Sequence, residues 1–153
     1  SIQGFSSLPI KMLTVHTSGG IDMMSAAMEA VSGTDITVFG VTVLTSLNDE
    51  DTNAVFKRTS SEQVEAMLDA AVAAGIDGVV CSPHELDLIS SRKSLLSITP
   101  GIRLQHSDDD QKRVMTPKEA KDRGANYLVI GRPITKSRNI KESLDEIYQS
   151  IYD

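Results

Sequence analysis

TPGIR at residues 99–103 and GRPIT at residues 131–135 are two similar breaks in the apolar pattern of this chain. Each follows a short apolar run, 95–98 in the first case and 127–130 in the second, and each contains Gly, Pro and one Arg. Glycine allows backbone N–H groups to approach a ligand closely, and the planar guanidinium of Arg matches the oxygens of a phosphate. The sequence therefore predicts an anion held between two successive strand ends.

Composition limits the class of protein. The 153 residues (16.5 kDa) are 40% hydrophobic and 24% charged, which is ordinary for a globular protein with one core, so we predict a single domain over 1–153. A net charge of −6 argues against a nucleic-acid partner. No apolar run approaches the roughly 20 residues of a membrane helix, so no membrane association is expected. The one cysteine, Cys81, cannot form an internal disulfide, and we expect a cytoplasmic protein.

Apolar runs alternate with amphipathic segments along the whole chain. We predict strands at 12–16, 36–44, 78–81, 95–99 and 127–130, and helices at 22–32, 60–75, 83–91, 117–124 and 140–152. A polar connector is predicted at 48–59, and Ser60 and Gln63 are predicted to form a capping box at the start of the second helix. No hairpin signal separates the strands, so the pattern predicts a parallel sheet.

Two α/β architectures fit five successive βα units. One is an open, doubly wound sheet, and the other is part of a (β/α)₈ TIM barrel. Barrels bind phosphate at the loops after their last two strands, which is where TPGIR and GRPIT lie, so the barrel is favoured. A complete barrel needs about 250 residues. We therefore predict that this chain covers about the last five βα units, the C-terminal part of a longer enzyme whose N-terminal strands are absent.

Six motifs occur in an order that resembles a known family. They are LTVHTSGG at 13–20, VTVLTS at 41–46, DGVVCS at 77–82, TPGIR at 99–103, DQKRVMTP at 110–117 and VIGRPI at 129–134. Together they resemble the bacterial form of the orotidine 5′-phosphate decarboxylase family, which makes UMP and CO₂ from orotidine 5′-phosphate in pyrimidine biosynthesis. The resemblance extends over essentially the whole chain.

The resemblance implies a set of substrate-binding residues. Arg132 and the backbone of Gly131 would bind the 5′-phosphate after the last strand. Gln111 would reach the phosphate from the preceding loop, with Arg103 at the base of that loop. Thr45 would contact the nucleotide at the end of its own strand.

The resemblance also implies what this chain lacks. The chemistry of the family depends on an Asp-x-Lys-x-x-Asp motif, and that pattern does not occur in these 153 residues. In such enzymes the Lys ammonium stabilises and then protonates the C6 carbanion left by CO₂, without a metal or organic cofactor. We therefore expect no catalytic residue and no metal ligand in this chain, no activity of the chain alone, and a homodimeric full-length enzyme.

Two other classes of protein remain open from the residues alone. One is another phosphate-binding barrel, such as a ribulose-phosphate epimerase or a keto-gulonate-phosphate decarboxylase. The other is a non-catalytic phosphate-binding module. The upstream strands would distinguish the enzymes, because an epimerase would contain metal-binding His and Asp there.

Three features with reactive or charged side chains are expected to have no catalytic or metal-binding role. His16, at a strand end, is expected to be packed and hydrogen-bonded, not a catalytic base. Cys81 is expected to be a buried thiol, because nothing near it in sequence would activate it. The acidic run 108–110 is expected to be a solvated loop, because consecutive acids seldom converge on one metal ion.

Overall fold

The described part of the chain forms a five-stranded parallel sheet with helices between its strands. The computed structural model describes residues 2–5, 8–92, 94–104 and 115–152. The strands are β1 (Met12–His16), β2 (Thr37–Val41), β3 (Gly78–Val80), β4 (Leu96–Thr99) and β5 (Tyr127–Leu128). The α-helices are α1 (Gly20–Val31), α2 (Asp49–Phe56), α3 (Ser60–Ala74), α4 (Leu86–Ser90), α5 (Pro117–Asp122), α6 (Arg132–Thr135) and α7 (Ile140–Tyr152). Short 3₁₀ turns occupy Ile2–Phe5, Thr17–Gly19 and Pro83–Glu85.

The order of the strands distinguishes the two architectures. Within the sheet the order is β1-β2-β3-β4-β5, and every neighbouring pair is parallel. A doubly wound sheet reverses direction at a switch point and places its first strand in the interior. Successive strands that are always spatial neighbours are the arrangement of a (β/α)₈ barrel. The predicted barrel class, with five consecutive βα units, is confirmed.

The predicted connector at 48–59 was wrong, because most of it is α2. The Asn48 side chain accepts a hydrogen bond from the Asp51 backbone N–H, and the Asp51 carboxylate accepts one from the Asn48 N–H. This reciprocal cap starts a helix in a segment whose polarity suggested a loop. The predicted capping box of α3 was also displaced by one residue, since Thr59 and Glu62 form it.

Two side chains just before strands extend the pairing of the sheet. The Asp77 carboxylate accepts a hydrogen bond from the Val38 N–H (2.7 Å), which joins the start of β3 to β2. The side-chain Oδ1 of Asn126 accepts a hydrogen bond from the Ser97 backbone N–H (2.8 Å), which joins the start of β5 to β4. Each of these residues lies two positions after a glycine that ends a helical segment with positive φ. The same device therefore fixes two separate helix-to-strand connections.

The register gives the sheet two distinct faces. Residues such as Val38 and Val79 lie on the face that packs against the helices, in an apolar core with Met24 and Leu68. Phe39, by the alternation of a strand, lies on the opposite face. A smaller apolar cluster contains Ile102 and Met115, which flank the loop after β4 in sequence, together with Ala120.

A contact between two aromatic rings shows that the face of the sheet on which Phe39 lies is concave. Phe39 on β2 and Tyr127 on β5 meet edge to face, with ring centroids 6.0 Å apart. Neighbouring strands lie about 4.8 Å apart, so β2 and β5 would be about 14 Å apart in a flat sheet. The contact therefore requires the sheet to curl with this face inward, as the wall of a barrel does.

Gly78 provides the space that the ring contact needs. It pairs with Phe39 in the register, and a Cβ added there would lie 2.6 Å from the Phe39 ring and 2.6 Å from the Leu96 backbone oxygen. Such distances cannot be tolerated without movement of the ring or of β4. Only glycine at this position allows the Phe39 ring to lie across β3.

We expect Gly78→Ala to destabilise the protein by about 1–3 kcal/mol, because the new methyl group overpacks against a ring and a backbone oxygen. Urea denaturation measures the free energy of unfolding. Gly131→Ala is the matched control, since a Cβ there has no atom within 4 Å. It should change stability by no more than about 0.5 kcal/mol. A Gly78→Ala variant as stable as the control would contradict this account of the curvature.

Candidate functional site

The carboxyl ends of the five strands lie along one edge of the sheet, because all five are parallel. This is the edge at which α/β folds bind ligands. The predicted residues Thr45, Arg103, Gly131 and Arg132 all follow strand ends there. Gln111 and the acidic run 108–110 lie outside the described residues.

The loop after β4 is closed at its base. Ile102 and Met115 form a parallel bridge, and the Arg103 backbone N–H donates to the Met115 carbonyl (3.0 Å). Both apolar residues are buried, so the two ends of the loop are fixed to the core. The half-buried Arg103 donates from Nη1 to the Ile102 carbonyl (3.0 Å). The guanidinium is thus held at the entrance of the segment that contains Gln111.

The loop after β5 continues directly into α6. The backbone N–H groups of Ile134 and Thr135 both donate to the Gly131 carbonyl. Ser143 on α7 also stabilises this turn, because its Oγ donates a hydrogen bond to the Pro133 carbonyl (3.0 Å). The GRPIT break follows β5 as predicted, but β5 ends at Leu128, two residues earlier than expected, and the helical turn was not predicted.

Gly131 and Arg132 are both open to a ligand at the start of this turn. Both residues are exposed, and a Cβ added at Gly131 would meet no atom within 4 Å. Packing therefore does not explain the glycine, whereas access of a ligand to its backbone would. Among the described residues, none forms a hydrogen bond or ion pair with the Arg132 guanidinium.

A cavity of about 440 Å³ joins the ends of the two loops. Leu104, which follows Arg103, lines one side, and Arg132 lines the other. The remaining lining residues are Pro133, Lys136, Ser137, Arg138, Asn139, Glu142, Ser143 and Glu146. Of the predicted pair, Arg132 lines the cavity, whereas Arg103 does not and only its neighbour Leu104 reaches it.

The electrostatics of this cavity are mixed. Arg132, Lys136 and Arg138 contribute three positive charges, and Glu142 and Glu146 contribute two negative ones. Lys136 and Arg138 were not among the predicted site residues, although both follow GRPIT within three residues. Only the tight turn of α6 folds them back towards Arg132. Because the net charge of the cavity is small, the binding of an anion there would depend on the positions of individual guanidinium groups.

Thr45 lies at the same edge of the sheet, four residues after the end of β2, and is exposed. It is not among the residues lining the cavity. β3 separates β2 from β4 at this edge. The arrangement therefore has two parts, the Arg-lined cavity after β4 and β5 and a polar strand end after β2.

The two reactive side chains behave differently. Burial, together with the charge of Glu85, raises the pKa of the Cys81 thiol to about 12 against a weak hydrogen bond with Thr99. The prediction of a buried thiol is confirmed. The prediction of a packed histidine was wrong, because His16 is exposed at the end of an edge strand.

Comparison with known proteins places the chain in a family. Residues 2–147 match the model of the "Orotidine 5'-phosphate decarboxylase / HUMPS family". The chain belongs to this family. It is 42% identical to an orotidine 5′-phosphate decarboxylase of Wolbachia pipientis over 100% of this chain and 69% of that protein. It is 43% identical to the orotidine 5′-phosphate decarboxylase of Ehrlichia chaffeensis over 99% of this chain and 67% of that protein.

Solved structures of the decarboxylase family agree with the fold. The crystal structure of orotidine 5′-phosphate decarboxylase from Lactobacillus acidophilus superposes with a TM-score of 0.84 at 30% identity. That superposition includes 99% of this chain and 68% of the other. The chain therefore spans about two thirds of the length of the family members it matches.

The described residues lack two features. Within that part of the chain, no helix has both the length and the apolar character that crossing a membrane requires. Among the same residues, no three His, Cys, Asp or Glu side chains are grouped so that they could bind a metal ion.

We expect the Cys81 thiol to be inert in the native protein. With a pKa of about 12, roughly one thiol in 10,000 is ionised at pH 8, and only the thiolate attacks Ellman's reagent. The reagent should therefore label the denatured protein fully and the native protein only at the rate of unfolding. The raised pKa also favours the folded state below pH 9, and this contribution is lost as the pH rises from 9 towards 12. Rapid stoichiometric labelling of the folded protein would contradict the burial.

Proposed function

We propose that this chain is the phosphate- and nucleotide-binding part of an orotidine 5′-phosphate decarboxylase, which converts orotidine 5′-phosphate into UMP and CO₂. The observation that carries the proposal is the match to the family over residues 2–147, with relatives of that name at 42–43% identity. Membership implies a carboxy-lyase that needs no cofactor. The cellular compartment we propose is the cytoplasm, and the assembly a homodimer.

The geometry after β4 and β5 supports the assignment of the phosphate. A phosphate dianion accepts several hydrogen bonds, and a guanidinium supplies two parallel ones. Arg132 is exposed beside the open backbone of Gly131, at a cavity shared with the segment that follows Arg103. We assign Arg132 and Gly131 to the 5′-phosphate, with Gln111 and Arg103 on the opposite loop.

The rest of the nucleotide would extend from this cavity along the carboxyl edge of the sheet. Thr45 lies on that path, after β2, and its hydroxyl can donate to or accept from a ribose or pyrimidine oxygen. Ser46 is the next hydroxyl along the chain and is also exposed. We assign Thr45 to the nucleotide on this basis.

The contribution of this chain to catalysis would be binding energy applied far from the reacting carbon. Decarboxylation breaks the bond between C6 and the carboxylate, and the electron pair that stays on C6 must be stabilised and protonated. The resemblance assigns that step to Lys and Asp residues of the Asp-x-Lys-x-x-Asp motif, which this chain lacks. Contacts to the phosphate can favour closure of the site and offset the cost of desolvating C6.

We expect Arg132→Ala to lower kcat/KM for orotidine 5′-phosphate at least 100-fold in the full-length enzyme. That loss corresponds to about 2.7 kcal/mol, which one or two charge-assisted hydrogen bonds can supply. Steady-state kinetics measures it. Arg132→Lys should restore only part of the loss, because Lys lacks the planar fork.

Two controls separate phosphate binding from general damage. Orotidine, which lacks the phosphate, should react equally slowly with the wild type and with Arg132→Ala. Arg123→Ala removes another exposed guanidinium, one that follows α5 and is 4.0 Å from the Asp87 carboxylate. It should leave kcat/KM within about twofold of the wild type. A loss smaller than tenfold for Arg132→Ala, about 1.4 kcal/mol, would exclude the proposed role.

We expect the chain alone to have no decarboxylase activity, since it contains no Asp-x-Lys-x-x-Asp motif. The ultraviolet absorbance of orotidine 5′-phosphate should stay constant in the presence of the purified chain. Binding should persist, so UMP should perturb the NMR signals of Gly131 and Arg132 more strongly than uridine does. Turnover by the chain alone would overturn the assignment of catalysis to other residues.

A further inference from the structure

Helix α6, which carries Arg132 at its first position, is too short to fix its own orientation. It contains four residues, Arg132–Thr135, and one of them is Pro133, which has no backbone N–H. A single helical turn fixes many backbone angles for few hydrogen bonds, so it is not stable by itself. The orientation of α6 must therefore come from a contact with another element.

The Pro133 carbonyl is the group through which α6 is joined to α7. The helix ends two residues later, so no N–H group within α6 can pair with this carbonyl. The next two backbone N–H groups along the chain donate to the Arg132 and Ile134 carbonyls instead. Ser143 supplies the hydrogen bond from its Oγ (3.0 Å), and this residue is only 5% exposed.

Ser143 and Ser150, the two serines of α7, use their hydroxyl groups differently. Ser150 donates from Oγ to the Ile147 carbonyl of its own helix (2.7 Å), as a helical serine commonly does. The Ser143 hydroxyl instead bonds to a carbonyl of α6, ten residues earlier in the chain. Alanine is the better helix former at a buried position, so a contact between the two helices explains this serine where packing alone does not.

The Ser143 hydroxyl is fixed relative to the core of the protein. The backbone N–H of Ser143 donates to the Asn139 carbonyl (3.1 Å) at the start of α7. Ile147, four residues later, lies on the same side of the helix and is 6% exposed, so this side of α7 is packed. A donor held in this way keeps the Pro133 carbonyl in one position.

Pro133 connects this hydrogen bond to the residues assigned to phosphate binding. Its ring restricts φ to about −65°, so the peptide that follows Arg132 has little freedom once the Pro133 carbonyl is fixed. The Gly131 carbonyl is bonded to the other end of the same turn, by the N–H groups of Ile134 and Thr135. Gly131 and Arg132 are thus held together with α6 as one unit.

We propose that Ser143 is a positioning residue for the contact of Gly131 and Arg132 with a phosphate. It acts through the Pro133 carbonyl, and it holds α6 so that the open backbone and the guanidinium meet the anion without further ordering. Fixing these groups before binding reduces the entropic cost of the complex. The inference rests on the proposed function, because it requires a phosphate at Arg132.

Binding of UMP to this chain tests the role without requiring catalysis. Ser143→Ala should weaken UMP binding about tenfold, because a small displacement of a binding group has a large effect on a charge-assisted contact. The affinity for uridine, which lacks the phosphate, should be unchanged. Ser150→Ala is the matched control, since it removes a hydroxyl of the same helix that does not bond to α6, and it should change neither affinity. Isothermal titration calorimetry measures the dissociation constants.

A second pair of variants keeps the side-chain volume constant and decides the question even if Ser143→Ala does not fold. Thr and Val have nearly the same shape, but only Thr has a hydroxyl that can donate to the Pro133 carbonyl. Ser143→Thr should therefore bind UMP about tenfold more tightly than Ser143→Val. Equal UMP affinities of these two variants would overturn the proposal, and so would a Ser143→Ala loss that is equal for UMP and uridine.

A double-mutant cycle in the full-length enzyme tests whether Ser143 acts through Arg132. Alone, Ser143→Ala should lower kcat/KM for orotidine 5′-phosphate about tenfold, whereas in the Arg132→Ala background it should have almost no further effect. The same loss in both backgrounds would overturn the positioning role. Weaker UMP binding by Ser143→Ala, in an enzyme that does not decarboxylate orotidine 5′-phosphate, would support the positioning role and count against the proposed function alone.

Discussion

The absence of one β-carbon, at Gly78, is the constraint on which the rest of this structure depends. It lets the Phe39 ring cross β3 and meet Tyr127 on the far side of the sheet at 6.0 Å. That contact requires the five strands to curl with this face inward. In the proposed function, the residues that follow β2, β4 and β5 would serve a single elongated ligand, although they are separated by up to about 90 positions in sequence.

The site itself depends on how two loops are fixed before any ligand arrives. The loop after β4 is closed by the bridge between Ile102 and Met115, and the turn after β5 is fixed to α7 by Ser143. Fixing the base of the first loop and the turn of the second in advance lowers the entropic cost of binding. Arg132 remains without a partner among the described residues, so its guanidinium is available for an anion. Rigid backbone and an available cation are the combination that anion recognition requires.

The sequence was most informative where a local rule had no competitor. β1 was predicted at its observed bounds, and Thr116 with Pro117 identified the start of α5 correctly. Helix α2 was missed because polar residues also dominate loops, and only the reciprocal hydrogen bonds of Asn48 and Asp51 distinguish the two cases. Lys136 and Arg138 could not be assigned to the cavity, since a four-residue helix determines where they point. The family motifs identified the candidate residues, and among the described ones Arg132 alone lines the cavity.

The uninterrupted order of the strands has a consequence for how this fold distributes its stability. Among the described strands, each pairs only with its neighbours in the chain, so the backbone hydrogen bonds of the sheet connect nearest neighbours. A change in the backbone pairing of one strand therefore acts directly on at most two interfaces, while the contact between Phe39 and Tyr127 also couples β2 to β5. Changes in the connecting loops are more local, because no other described strand lies between the partners. A scaffold of this kind can vary its specificity one loop at a time.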